Sequence, residues 1–319
     1  MTDLDAADDE DRLIRLVEQL LESGALSAQD PGVDVSLFQQ MGFDVTQGVI
    51  RVPGDIERLE KERIIDGLST RARAWLKELS VFPVIGSTST ALMQRAEHAS
   101  VDGIVNLAEL QVQGRGRRGR KWLSPFARNL AMSMGVWVPQ PPQELGGFSL
   151  AVGLAAVDML ATYGIAEVEL KWPNDVLLAG KKLAGVLIEL IPRERGTELV
   201  VGIGMNLQLP DAARRDIDQP ATDLAHTGVA VARNDLVARL LSSIVDYSDS
   251  FAADGFAPMQ SAFDQHHRLQ GGACRLVQGN TVIEGSVLGV TAQGELLLDT
   301  VAGTRSFSAG EVSLRAARQ

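Results

Sequence analysis

The chain has 319 residues, 45% of them hydrophobic, with 30 Lys and Arg against 41 Asp and Glu, a formal net charge of −11. That length suits two or three domains. A single cysteine, Cys274, excludes any intrachain disulfide, and no apolar run is long enough for a bilayer span. The acidic start (Asp3, Asp5, Asp8, Asp9, Glu10, Asp11) has no signal-peptide pattern, so a cytoplasmic protein is expected.

In chain order, residues 12–22 have helical spacing, with Leu13, Leu16, Val17, Leu20 and Leu21 on one side. Gly24, Pro31 and Gly32 break the next stretch, and a short helix and hairpin run to Pro53-Gly54. A helix is predicted over Glu57–Leu79. From Val81 the pattern mixes strands with helices. Strands are expected at Val81–Ile85, Gly103–Val112, Asn129–Val138, Val168–Lys171, Val176–Leu178, Leu183–Ile191 and Leu199–Asn206. Helices are expected at Thr88–Ala99, Glu144–Tyr163 and Asn234–Ala253. Strands in runs, with helices between some, imply an α+β fold. After Gly272, short alternating strands with turns at Gln278-Gly279-Asn280, Gln293-Gly294 and Ala302-Gly303 predict a small SH3-like β-barrel. The expected division is 1–66, 67–268 and 269–319. The four histidines, His98, His226, His266 and His267, are scattered, without metal spacing, and read as surface residues.

The densest chemistry lies in Gly114-Arg115-Gly116-Arg117-Arg118-Gly119-Arg120-Lys121-Trp122, five cations in an acidic chain. Glycines let the backbone curl around an anion, arginine forks suit phosphate or carboxylate, and Trp122 offers a stacking face. A solvated basic loop and a minor-groove hook are the competing readings. The spacing is not that of a P-loop. Ser87-Thr88-Ser89-Thr90 marks a strand-to-helix junction, either a plain N-cap or an acceptor site. Lys171-Trp172-Pro173-Asn174-Asp175 is a structural turn or a cluster of polar functions. Lys182 opens an apolar strand, where it either snorkels or aims at an anion.

Taken in order, Gln111 with the Gly-Arg loop, Ser124-Pro125-Phe126, Asn129-Leu130, Lys171–Asp175, Lys182-Leu183-Ala184-Gly185 and Gly202-Ile203-Gly204-Met205-Asn206 closely resemble the biotin–protein ligases. The resemblance runs from Phe82 to Leu314. It implies a central mixed sheet of the class II aminoacyl-tRNA synthetase-like type. It also implies an ATP- and Mg²⁺-dependent ligase that forms biotinyl-5′-AMP. The biotinyl group then passes to a lysine of the biotin carboxyl carrier protein of acetyl-CoA carboxylase.

By that resemblance, Ser87, Thr88, Ser89, Gln111, Gly114 and Gly116 hold biotin, and Gly185 and Gly204 let backbone approach it. Arg115 and Arg117 hold the carboxylate and then the acyl phosphate. Lys182 stabilises charge at the α-phosphate. Arg118, Arg120, Trp122, Asn174, Asn206 and Arg315 serve the nucleotide, with Glu311 nearby, and Asp175 holds Mg²⁺ or orients groups. The chain departs from the family pattern at Gly86, usually acidic, and at Ser89, often Asn.

The resemblance puts a winged-helix repressor domain at the N-terminus of many members. Residues 1–80 carry nine Lys and Arg against seventeen Asp and Glu, a net of −8, and show no convincing recognition helix. A winged-helix-like remnant is expected there, without DNA binding. A lipoate–protein ligase is the nearest rival, but its Arg-Arg-x-Ser-Gly-Gly-Gly loop is absent. A nucleic-acid-binding regulator and a degenerate ligase kept as a binding module are the others. The Leu199–Asn206 hairpin has an exposed look, and its strands can pair across a twofold axis, as in family dimers.

Overall fold

A computed structural model describes residues 3–314. The N-terminal segment holds α1 (Asp3–Ser23), β1 (Ala25–Ser27), α2 (Val35–Gln40), β2 (Asp44–Thr46) and β3 (Val49–Arg51). The three short strands form an antiparallel sheet in the order β1-β3-β2. Only the six-residue α2 stands between β1 and β2, capped by Asp34, whose carboxylate accepts from the Ser36 and Leu37 amides.

The predicted Glu57–Leu79 helix is two short helices, α3 (Lys61–Gly67) and α4 (Thr70–Trp75), followed by a strand, β4 (Glu78–Phe82). The break has a local cause. Leu68 leaves the helix with extended backbone and buries its side chain, and the Ser69 hydroxyl caps the next helix at Ala72. Apolar residues at helical spacing on both sides of this break read as one periodic run.

The remaining elements are α5 (Thr88–Ala96), β5 (Ile104–Ala108), β6 (Asn129–Val138), α6 (Phe148–Ala161), β7 (Val168–Lys171), β8 (Asp175–Leu178), β9 (Lys181–Pro192) and β10 (Thr197–Asn206). Then come α7 (Asp211–Arg215), α8 (Arg233–Asp254) and α9 (Gln260–His266). The chain ends in β11 (Ala273–Gln278), β12 (Thr281–Val290), β13 (Leu296–Thr300), β14 (Gly303–Phe307) and β15 (Glu311–Leu314). These last five strands form an antiparallel sheet, order β14-β13-β12-β11-β15.

The central sheet has seven strands, β4-β5-β6-β10-β9-β8-β7, with only β4 and β5 parallel. Helix α6 is apolar all round and packs with α8 in the main core, which continues into the C-terminal sheet through Cys274, Leu276 and Val287. The expectation of an exposed Leu199–Asn206 hairpin is corrected. Strand β10 is the middle strand, hydrogen-bonded on both sides and nearly all buried. Its backbone donors and acceptors are used within the sheet, so it has no free edge to pair with a second copy.

The N-terminal segment does not stand apart from this body. Val17, Leu20, Phe38 and Ile50 share one buried cluster with Val84, Leu110 and Phe126. Phe43 stacks on Phe126 at 5.0 Å between centroids, and the Phe126 amide donates to Met41 O at 2.7 Å. The expected boundary at residue 66 falls inside α3, and that at 268 between α9 and β11. Among the described residues, no helix is long and apolar enough to cross a membrane.

Candidate active site

Strands β6, β10, β9 and β8 put small residues on one face of the sheet. In register, Ala131, Gly204, Gly185 and Asp175 form one row, and Ser133 and Gly202 lie in the next. Glycine there leaves backbone open to a ligand. Helix α5 flanks this face, and a cavity of about 740 Å³ opens on it.

One end of the cavity carries neutral hydrogen-bonding groups. Ser87 caps α5. Gln111 Oε1 accepts from the Thr88 amide at 2.8 Å and from the Thr88 hydroxyl at 3.0 Å. Ser133 Oγ lies 2.7 Å from Thr88 Oγ1 and 2.9 Å from Ser89 Oγ. Sequence reasoning missed Ser133, because a serine in an apolar strand carries no motif. Its pairing with Gly202 in the sheet is what brings it to Ser89.

The Gly-Arg loop is a closed hairpin. Gly116 N donates to Arg120 O at 2.7 Å, and Trp122 N donates to Gly114 O at 2.8 Å. Arg118 and Gly119 turn it with positive φ. Gly114 does not line the cavity, but a Cβ on it would come within 2.3 Å of Trp122 O, so only glycine permits this closure.

Arg115 stays beside the serine cluster, donating to Thr90 Oγ1 at 3.4 Å and pairing with Glu189 at 3.0 Å. The other end is cationic. Arg117 donates to Asn174 Oδ1 at 3.1 Å, and burial, aided by neighbouring Arg118, pushes its guanidinium below the ordinary arginine value against the pull of Asp175 and Glu311. Arg118 and Arg120 both pair with Glu311 of the C-terminal sheet. Lys182 Nζ lies 2.7 Å from Asp175 Oδ1 and 5.7 Å from the Trp122 ring centre. Asn174 donates to Val186 O at 2.7 Å and Asn206 to Thr222 O at 3.0 Å, which fixes both amides at the wall. Residues 216–221 form the facing rim, tied down by Lys182 N to Pro220 O at 2.9 Å.

Ser87, Thr88, Ser89, Gln111, Arg115 and Gly116 thus line the same cavity as Arg117, Arg118, Arg120 and Trp122. Asn174, Asp175, Lys182, Gly185, Gly204 and Asn206 complete that set. Arg315 lies outside the described residues. Gln40, at the end of α2, also lines the cavity and carried no sequence signal.

The Trp122 ring rests on the glycine row. A Cβ at Gly204 would come within 2.3 Å of it, and one at Gly185 within 3.5 Å. Its Nε1–H is buried with no hydrogen-bond partner. Trp172 has a different fate from Trp122. It is 2% exposed and donates from Nε1 to Gly294 O at 3.0 Å, joining the catalytic sheet to the C-terminal strands.

The reading of all four histidines as surface residues is also corrected. His98 and His226 are exposed and His266 is half-buried, but His267 is buried against Phe263 at 5.1 Å between ring centres. Among the described residues, no group of three or more His, Cys, Asp or Glu side chains assembles as a metal site.

Comparison with known proteins fits this arrangement. Residues 81–206 match the biotin/lipoate A/B protein ligase family, and residues 271–315 match the biotin protein ligase C-terminal domain. The bifunctional ligase/repressor BirA of Salmonella typhimurium is 34% identical over 291 residues, covering 91% of this chain and 86% of that protein. The biotin–[acetyl-CoA-carboxylase] ligase of Mycobacterium tuberculosis is 36% identical over 268 residues, covering 80% of this chain and 95% of that one. The structure of the biotin protein ligase from Aquifex aeolicus in complex with biotin and ATP superposes with a TM-score of 0.62 at 29% identity, over 76% of this chain and 100% of that chain. With a neutral polar end, a glycine floor and a cationic end in one cavity, and relatives that align over most of their length, the chain belongs to the biotin–protein ligase family.

Proposed function

We propose that this cavity joins biotin to AMP and then passes the biotinyl group to a lysine of a biotin carboxyl carrier protein of acetyl-CoA carboxylase. The observation that carries the reading is the polarity of the cavity. Ser87, Thr88, Ser89, Gln111 and Ser133 suit a ureido group at one end, Arg117 and Lys182 suit a carboxylate beside a triphosphate at the other, and Arg115 flanks the space between from the serine side.

In the first step a biotin carboxylate oxygen attacks the α-phosphorus of ATP. The bond to the bridging oxygen breaks, and pyrophosphate leaves with that electron pair. Both reactants are anions, so the protein's contribution is to hold them together and to stabilise charge on the α-phosphoryl oxygens. Arg115 and Arg117 orient the carboxylate, and Lys182 meets the phosphoryl charge. Trp122 moves off the glycine row onto the adenine, which gives its unpartnered Nε1–H access to an acceptor, while Asn174 and Asn206 edge the nucleotide. In the second step a deprotonated carrier lysine attacks the acyl carbon, and AMP leaves as the mixed anhydride opens. The hairpin, held by Glu311 through Arg118 and Arg120, shields that anhydride from water.

Mg²⁺ supplies charge neutralisation on the triphosphate. With Asp175 tied to Lys182, and Asp175 the one carboxylate in the glycine row, the residues suit an ion carried by the nucleotide better than one held in a protein cage.

The N-terminal 66 residues are then a winged-helix-like remnant without DNA binding, followed by the ligase unit at 67–268 and the SH3-like unit at 269–319. The acidic N-terminal charge and the single short helix between β1 and β2 support that reading. A cytoplasmic location suits a substrate pair of ATP and a carboxylase. The family resemblance supports a homodimer, read by sedimentation with biotin and ATP present.

The direct test is intact-mass measurement after incubation with biotin, MgATP and a carrier domain. A gain of one biotinyl group that requires ATP is expected. No gain, or an equal gain with lipoate, overturns the assignment.

A further inference from the structure

Glu10, on the first helix, reaches the ligand site from a segment that the ligase motifs do not include. Its Oε1 lies 2.1 Å from where a Cβ on Gly86 would sit, so the carboxylate fills the space a side chain at 86 would take. Burial, with Asp11 beside it, raises the Glu10 pKa above the ordinary carboxylate value, and the Gln113 side chain beside the same carboxylate opposes that rise. Beneath it, Gln113 N donates to Gly86 O at 2.9 Å, and Ile85 bridges to Gln111. The carboxylate therefore sits over the crossing of two segments. One runs on into Ser87-Thr88-Ser89. The other carries Gln111 and enters the Gly114 hairpin.

Helix α1 is fixed in place. Val17 and Leu20 are fully buried in the cluster that includes Val84 and Leu110, which precede the two crossing segments. Gln40 of the same N-terminal segment lines the cavity. Glycine at 86 is also where the chain departs from the family pattern, and the side chain missing there is replaced in space by one from elsewhere in the chain.

We propose that Glu10 is a positioning residue for the biotin end of the site, a clip from the N-terminal segment that holds Gly86 against Gln113. The inference rests on the ligase reading above. The segment that resembles a DNA-binding remnant then works as part of the ligase. The clip acts on the neutral polar end, so its loss changes biotin binding first, and the Lys182 ammonium, held by Asp175, is not among the groups it positions.

The experiment measures biotin-dependent pyrophosphate release by the full chain, with KM for biotin, KM for ATP and kcat determined separately. Losing one hydrogen bond to a charged group is expected to raise the biotin KM about tenfold in Glu10→Ala, with kcat and ATP KM within about twofold of the parent. Glu18→Ala, an exposed site on the same helix, keeps parental constants. Gly86→Asp in the parent crowds Glu10 and also raises the biotin KM. Combined with Glu10→Ala, the same aspartate restores it to within about threefold of the parent, a reciprocity that general destabilisation does not produce.

Glu10→Gln keeps the shape and removes the charge. A raised biotin KM at an unchanged melting temperature supports the clip, and a lowered melting temperature with parental KM overturns it. A parental biotin KM in Glu10→Ala, or a double variant no better than Glu10→Ala, also overturns it. An inactive parent would sink the ligase reading instead, so the two failures are distinguishable.

Discussion

Lys182 Nζ lies 2.7 Å from Asp175 Oδ1, and both side chains are more than four-fifths buried on the floor of the cavity. The ion pair aims the ammonium, but it must exchange partners when a phosphoryl oxygen arrives. Lys182→Ala removes the charge just where the transition state gains it. Adenylate formation should fall roughly 100- to 1000-fold, since loss of one preorganised charge donor costs about that much. Single-turnover pyrophosphate release measures it, and a parental rate removes Lys182 from the chemistry. Asp175→Asn should cost less, because the ammonium survives without its aim.

Gly204 and Gly185 face each other across β10 and β9, and Trp122 lies over both. A methyl at 204 meets the indole at 2.3–2.4 Å, a separation no packing tolerates, so the ring must move. Gly204→Ala should leave the sheet folded and lower kcat/KM for biotin about 10- to 100-fold, a cost of roughly 1.4–2.7 kcal/mol. A shift of tryptophan fluorescence in the free protein should accompany it. Parental kinetics with parental fluorescence would mean that the floor is not where the ligand lies.

What could be read from the sequence divides along physical lines. Strands β6 and β7 match expectation in full, and β10 nearly so, because their apolar runs are bounded by turn residues that stop them cleanly. The Gly-Arg loop, Lys171–Asp175, Lys182 and Gly204 converge as their motifs imply, since each motif keeps its chemistry within a few adjacent residues. Ser133, Gln40 and Glu10 carry no such local mark. They matter because sheet register, or a helix packed from elsewhere, delivers them. Likewise nothing within the Leu199–Asn206 run says that β6 will flank it on one side and β9 on the other.

Glu109 illustrates a buried group whose role is structural. It is 1% exposed and accepts from Arg58 Nε at 2.9 Å and from Leu59 N at 2.8 Å, and it pairs with the equally buried Arg233. Arg233 in turn donates from Nε to Asn129 O at 3.0 Å, at the first residue of β6. Replacing Glu109 with Ala strands a buried guanidinium and should destabilise the protein by about 3–5 kcal/mol. Denaturant unfolding measures this, and a loss below about 1 kcal/mol would show that water reaches Arg233 readily.

His267 sets a pH dependence. Burial lowers its pKa to about 4 from the ordinary 6.5, so the folded protein holds it neutral. The unfolded chain takes up a proton as pH falls below about 6.5, while the folded chain resists until about 4. The unfolded state therefore binds more protons within that window, and stability falls as the solution is acidified through it. The full loss from this group is on the order of 3 kcal/mol, reached near pH 4 and contributing nothing above about pH 7. His267→Gln carries no titrating group. It should flatten the dependence of melting temperature on pH between 4 and 6.5 relative to the parent, whatever its effect at neutral pH. Parallel curves for the two proteins would mean that His267 titrates alike in the folded and unfolded chain, and the join between the central sheet and the C-terminal strands would then tolerate a charge beside Trp172.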